Sequence, residues 1–132
     1  MYLENAICEA LETIEQLRDK VYPAEALKKA TAPFVFYLQH NDDDKEDLNG
    51  CTGLCSAVFE VNVVAPTYTQ LLQLTDAAKN ALRSMQGASF GNLHVERAFV
   101  RSASPDLKER EVNLYRRMLE LQINYQFEEV TT

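Results

Sequence analysis

Residues 115–127 alternate cleanly from Leu119 onward. Leu119, Leu121, Ile123, Tyr125 and Phe127 share one face, while Glu120, Gln122, Asn124 and Gln126 share the other. A period of two is the pattern of a strand with one side on a core and one side in water. At about 3.3 Å per residue such a strand runs about 43 Å. A compact domain of this length is only about 36 Å across. The strand is therefore expected to bend sharply or to overhang the domain. An overhang leaves backbone N–H and C=O groups unpaired, and these attract another strand. A chain of this kind is built to join other parts.

The remaining pattern supplies the rest of one domain, residues 1–132. Leu3, Ala6, Ile7, Ala10, Leu11, Ile14 and Leu17 recur at three- and four-residue steps. This predicts an amphipathic helix over residues 2–18, ended by Val21-Tyr22-Pro23. Residues 24–30 can form a short helical turn that stops before Pro33. Residues 34–40 are aromatic and β-branched, which predicts a strand, and residues 56–65 predict a second. Thr67 with Gln70 three residues on makes a capping box. The helix it opens presents Tyr68, Leu71, Leu72, Thr75, Ala78, Leu82 and Met85 as its buried stripe, and Gly87 suits a left-handed cap. A third strand covers residues 93–101, although Arg97 interrupts its apolar face. Residues 102–113 read as a long loop. The predicted order is α-β-β-α-β-β, with two antiparallel hairpins and two helices on one face: an α+β two-layer domain with a mainly antiparallel sheet.

Charge is distributed unevenly. Residues 1–66 carry 5 Lys or Arg against 12 Asp or Glu, and residues 67–132 carry 8 of each, which places the whole net charge of −7 in the first half. An acidic chain is a poor holder of nucleic acid, whose phosphates need clustered Lys and Arg. The asymmetry is either a solvated acidic surface or an acidic flank that meets a basic flank of the next copy. Its densest part, Asp42, Asp43, Asp44, Glu46 and Asp47, lies between the first two strands. An EF-hand beginning at Asp42 would need glycine sixth and glutamate twelfth, where Asp47 and Gly53 stand instead. These five acids are a solvated loop tip or a charged docking loop. Arg97, Arg101, Arg116 and Arg117 gather on or beside the second hairpin, either in cross-strand pairs with Glu96, Glu111 and Glu120 or as a contact surface.

The motifs of chemistry fail on inspection. Gly87-Ala88-Ser89-Phe90-Gly91 matches G-x-S-x-G, but a nucleophile elbow needs a strand before the serine and a helix after it, and here the order is reversed. His94 follows Ser89 with no acid between them to complete the hydrolase chain order. Cys51 and Cys55, if extended, stand about 13 Å apart, too far for one zinc or one disulfide. Three cysteines suit small packed or partly exposed thiols in a reducing cytoplasm. There is no long apolar run to span a membrane and no basic leader followed by an apolar stretch. No metal, cofactor or catalytic residue is expected.

Several segments together resemble one family. Val21-Tyr22-Pro23 followed by Ala32-Pro33-Phe34-Val35-Phe36-Tyr37 is similar to its entry into the first strand. Phe59-Glu60-Val61-Asn62-Val63-Val64-Ala65-Pro66-Thr67-Tyr68 resembles its strand-to-helix passage, and Tyr115-Arg116-Arg117-Met118-Leu119-Glu120-Leu121 its final strand. The family is the tail completion or tail terminator (head–tail joining) proteins of long-tailed bacteriophages and prophages, and the likeness spans nearly the whole chain. Residues 24–30 and 41–47 depart from it. The resemblance implies a non-enzymatic ring of six subunits that caps the tail tube and meets the head connector. The protein would reside in the virion neck, and in the host cytoplasm during assembly. DNA would pass through the ring without specific binding, and Glu120, Gln122 and Asn124 are the candidate channel-facing residues. The five acids and four arginines are the candidate interface with neighbouring subunits, the tail tube protein and the connector. The alternative is a cytoplasmic adaptor that self-associates by strand addition.

Overall fold

The computed structural model describes residues 3–24, 31–39, 55–102, 107–109 and 114–127. Along the chain run α1 (Leu3–Leu11), a 3-10 turn (Glu15–Leu17), β1 (Val21–Pro23), β2 (Phe34–Gln39), β3 (Cys55–Ala65), α2 (Tyr68–Arg83), β4 (Ser89–Phe90), β5 (Leu93–Ser102), β6 (Leu107–Glu109) and β7 (Leu114–Phe127). The protein is α+β. Its sheet order is β1-β2-β3-β7-β5-β4, with β6 also against β7. All pairings are antiparallel except β1 with β2, so the sheet is mixed. The expected α-β-β-α-β-β order is thus incomplete. Its two hairpins, β2–β3 and β5–β7, are present, but three short strands join them, and one of these, β6, lies within the stretch expected to be a loop.

The largest correction concerns the last strand. β7 does not overhang. It is the central strand, paired with β3 from Tyr115 to Tyr125 on one side. On the other side it pairs with β5 from Leu119 to Phe127 and with β6 from Leu114 to Arg116. Its excess length is taken up by dividing one flank between two partners.

One face of this sheet carries the core. Val35, Tyr37, Ala57, Phe59, Val61, Val63, Leu93, Val95, Ala98, Val100, Leu119, Leu121 and Ile123 form a single buried cluster with residues of both helices. From α1 come Leu3, Ala6, Ile7, Ala10 and Leu11, and Leu17 follows from the 3-10 turn. The apolar spacing is therefore as expected, although the α-helix stops at Leu11. The Thr13 hydroxyl donates to the Ala10 carbonyl at 2.7 Å, a local bond that competes with the helical ladder. The next backbone bonds are of the tighter three-residue kind, and Ile14 is extended. α2 begins at the expected cap, with one of the capping box's two bonds: the Gln70 N–H donates to Thr67 Oγ1 at 3.2 Å. Its stripe is Leu71, Leu74, Thr75, Ala78, Leu82 and Met85, and Leu72 and Tyr68 are exposed at 38% and 46%. Leu74 takes the place expected of Leu72.

Arg97 does not interrupt the core face, because β5 contains a β-bulge. Val95 lies opposite Tyr125 and Arg97 opposite Asn124, leaving Glu96 as the extra residue. A bulge advances the side-chain phase by one. Leu93 and Val95 point inward before it, and Ala98 and Val100 after it. Arg97, Phe99 and Arg101 all turn outward.

Cys8 is a free thiol, whereas Cys55 is disulfide-bonded. This overturns the expectation that Cys55 would be an unlinked thiol. Cys51, residues 25–30 and the five acids Asp42, Asp43, Asp44, Glu46 and Asp47 lie outside the described residues.

Candidate functional site

The outer face of the sheet is built by cross-strand register. Three successive rows run across β3, β7 and β5: Glu60–Glu120–Arg101, Val58–Gln122–Phe99 and Ser56–Asn124–Arg97. The three residues expected to face a channel therefore stand side by side with two of the four arginines expected at an interface. Arg101 donates to Glu120 at 2.7 Å across the strands. With Arg101 three-quarters exposed, the pair adds little to stability, roughly 0–1 kcal/mol. It does hold both side chains flat on the sheet. Arg97 lies over the Phe99 ring at 4.5 Å from its centroid, a cation–π contact that orders a large apolar group left 45% exposed.

Arg116 and Arg117 do not join this group. Arg116 sits opposite Val64 and Leu107, and Arg117 opposite Val63, near the start of β7. Both are half-buried and engaged with other residues. The four arginines thus belong to two places, an open one and a packed one.

A further row on the outer face is apolar and closed. Tyr22, Phe36, Asn62 and Met118 are successive register partners; the Tyr22 ring meets Phe34 edge-on at 6.2 Å and Phe34 meets Phe36 tilted at 6.3 Å between centroids. Asn62 is fully buried there. Its amide donates to Glu60 Oε2 at 3.1 Å, while its Oδ1 has no hydrogen-bond partner.

The edge of the sheet beside the open rows is incomplete. β4 covers β5 only at Leu93 and His94. The Gly87 N–H then donates to the Val95 carbonyl at 2.8 Å, and the Val95 N–H to the Ala88 carbonyl at 2.9 Å. Gly87, at φ 81°, occupies the left-handed region that this turn requires. The Ala98 N–H donates to Gln86 Oε1 at 3.3 Å, so a side chain substitutes for a neighbouring strand. Backbone groups alternate sides along a strand, which turns those of Val100 to the same edge. Among the described residues no strand pairs with that edge from Arg97 to Ser102. A groove beneath it is lined by Arg83, Gln86, Ala98, Val100, Arg101 and Glu120, with Phe99 at its rim.

Ser89 and His94 require a separate account. They are cross-strand partners, and Ser89 Oγ lies 2.9 Å from His94 Nδ1. His94 Nε2 is 3.5 Å from Glu96 Oε1, which also accepts from Gln126 Nε2 at 3.2 Å. A serine, a histidine and an acid are therefore aligned after all, with the acid beyond the histidine rather than between. The bulge achieves this by turning Glu96 outward beside His94. The order of nitrogens is the reverse of the serine-hydrolase arrangement, in which the serine meets Nε2 and the acid Nδ1. Ser89 also lies in a regular ladder next to a tight hairpin whose turn is set by Gly91 at φ 65°, not on a strained elbow. The trio clasps β4, β5 and β7 together. Ser89→Ala should leave assembly function intact in a complementation assay and cost no more than about 1 kcal/mol in unfolding; loss of function in a folded variant would restore a chemical role.

Burial pushes the Cys8 thiol up, partly offset by a hydrogen bond with Tyr37, and a raised thiol is protonated and unreactive at neutral pH. Among the described residues there is no group of three or more His, Cys, Asp or Glu able to hold a metal, and no helix is long and apolar enough to cross a membrane. The arginines at the open edge were visible in the sequence. Phe99, Gln86 and Arg83 were not singled out, although two alternating runs one residue out of phase, Leu93/Val95 and Ala98/Val100, were the available sign of the bulge that exposes Phe99.

No protein-family model matches the chain, and no curated protein shows significant similarity to it.

Proposed function

We propose that this chain is a structural, non-enzymatic protein of the phage or prophage tail-terminator kind. Copies of it form a ring, of six in the family it resembles, that caps the tail tube and joins it to the head connector while leaving a channel for DNA. The observation that carries the reading is the division of labour between the two sides of the sheet. Both helices and the core occupy one face. The other presents rows that mix polar side chains with Val58 and Phe99, next to an edge of β5 that no strand covers among the described residues. The centre of those rows on β7 is the uncharged pair Gln122 and Asn124, a surface suited to letting phosphates slide past rather than gripping them.

The test is complementation of a phage lacking its terminator, with negative-stain images of the tails. Tails of uniform length joined to heads are expected with the wild-type chain, and unjoined or overgrown tails without it. Replacing Gln122 and Asn124 with lysine should leave joining intact but lower infective titre about tenfold or more, because a ring of added cations retains DNA. Unchanged titre would remove this face from the channel. The second reading, a cytoplasmic adaptor that dimerises by strand addition, draws on the same open β5 edge. A closed two-fold dimer at every concentration, with no effect on tails, would favour it.

A further inference from the structure

We infer that copies of this chain associate head to tail, the arginine-flanked edge of β5 in one copy docking on the acidic surface of α1 and the 3-10 turn after it in the next. The cations around this edge outnumber its one acid, Glu120, which Arg101 already pairs, and the N–H and C=O of Val100 both open to a partner. Arg83, Arg97 and Arg101 surround it, the Val100 N–H is directed out of it, and the Ala98 N–H beside it already takes an oxygen from Gln86. A complementary surface must supply acceptors, and carboxylates supply them with charge. From Leu3 to Leu17 the chain carries Glu4, Glu9, Glu12 and Glu15 and no lysine or arginine. Glu9 and Glu15 are exposed. Glu12 is already committed, accepting the Asp19 N–H at 2.9 Å.

The two surfaces lie on opposite sides of the molecule. β5 is at one end of the main path of the sheet and β1 at the other, separated only from the rim by the two-residue β4. α1 packs against β1 and α2 on the core face of the sheet, opposite to the outer face on which Arg97 and Arg101 stand. One copy therefore cannot satisfy its own arginines with its own α1. An interface made of two different surfaces is heterologous, and repeated around an axis it generates a ring or a filament. Phe99 adds an apolar centre to the contact, and arginine and aromatic residues are the types that dominate interface energetics. The inference rests on the ring-forming reading for its closure, but its test needs only the purified chain.

Light scattering with rising protein concentration should show mass growing beyond the monomer, less so at high salt, where charge pairs are screened. Two exposed double variants decide the matter, each checked for wild-type thermal unfolding. Arg83→Glu with Arg97→Glu leaves both surfaces acidic, and Glu9→Arg with Glu15→Arg leaves both basic. Each alone should need at least about tenfold more protein to associate. A one-to-one mixture should recover association, because each acidic copy now meets a basic neighbour on either side. The inference is overturned if the wild type stays monomeric throughout, if the single-sign variants associate normally, or if the mixture behaves like its components. Normal tail joining by variants that fail the mixing test would leave the tail-capping reading standing and move the subunit contact elsewhere.

Discussion

Deleting Ala98 should unfold this protein, while deleting Glu96, two residues earlier, should leave it folded. The reason is the phase of β5. Leu93 and Val95 are inward before the bulge, Ala98 and Val100 after it, and Glu96 is the residue without a partner on β7. Removing Glu96 leaves Leu-His-Val-Arg-Ala-Phe-Val-Arg, a regular alternation that sends the same four residues inward and the same arginines outward. Its cost should be no more than about 1 kcal/mol, mainly lost twist and the lost contact to His94. Removing Ala98 allows no such solution. A regular ladder then points Arg97 inward, and a ladder that keeps the bulge points Arg101 inward. An unpaired charge in the core costs roughly 3–5 kcal/mol, comparable with the whole stability of a small domain at about 5–15 kcal/mol. Far-ultraviolet circular dichroism during urea titration measures both variants. Equal stabilities would mean that the bulge is misplaced.

The bulge also marks where the sequence stopped being sufficient. Runs with one unbroken period were legible: the seven apolar positions from Leu3 to Leu17, the Thr67 cap, and the alternation of β7 from Leu119 to Ile123 find their expected sides, while Phe127 at the end of that strand is exposed. The α1 boundary was not, because the pattern of burial continues through a turn whose backbone has already left the helix at Thr13. Pattern reports which side faces the core, and hydrogen bonding decides where the helix ends. Arg97 misled for a related reason. A strict period of two was assumed across a place where one residue is extra, so an outward arginine looked inward. The length of β7 misled differently. Strand length is a local quantity, but whether its flanks are paired depends on β3, β5 and β6, which are distant in sequence.

The candidate site shows the same division. Glu120, Gln122 and Asn124 were placed together by local alternation alone, and register then set Arg101, Phe99 and Arg97 beside them. Arg116 and Arg117 were grouped with Arg97 and Arg101 on residue type, and the fold separates them because they stand at the opposite end of β7. The contact of Ser89 with His94, and of His94 with Glu96, is not legible in chain order, which carries no information about a cross-strand contact. Distance, not order, brings those three together, and the reversed nitrogens on His94 are what argue against chemistry.

Two phenylalanines on opposite faces of this sheet should give opposite outcomes when cut to alanine. Phe59 is 1% exposed on β3, where its ring lies 6.4 Å from that of Tyr37 beneath both helices. Its partners on either side, Gln39 and Leu121, belong to the two strands that fix β3 in the sheet. Phe59→Ala removes a large buried group and leaves a cavity that close-packed neighbours fill only in part, a loss of about 3–5 kcal/mol. The urea midpoint should fall steeply, with the fold near the edge of persistence. Phe99 is 45% exposed and rests against Arg97. Its loss to alanine should change the urea midpoint little, by about 0.5 kcal/mol or less. Yet it removes the apolar centre of the proposed contact, so association and tail joining should weaken while the monomer stays folded. Measuring unfolding and association on the same two variants separates the faces. If Phe99→Ala destabilised the monomer as much as Phe59→Ala, the outer rows would be part of a second core and could not be a surface for another copy.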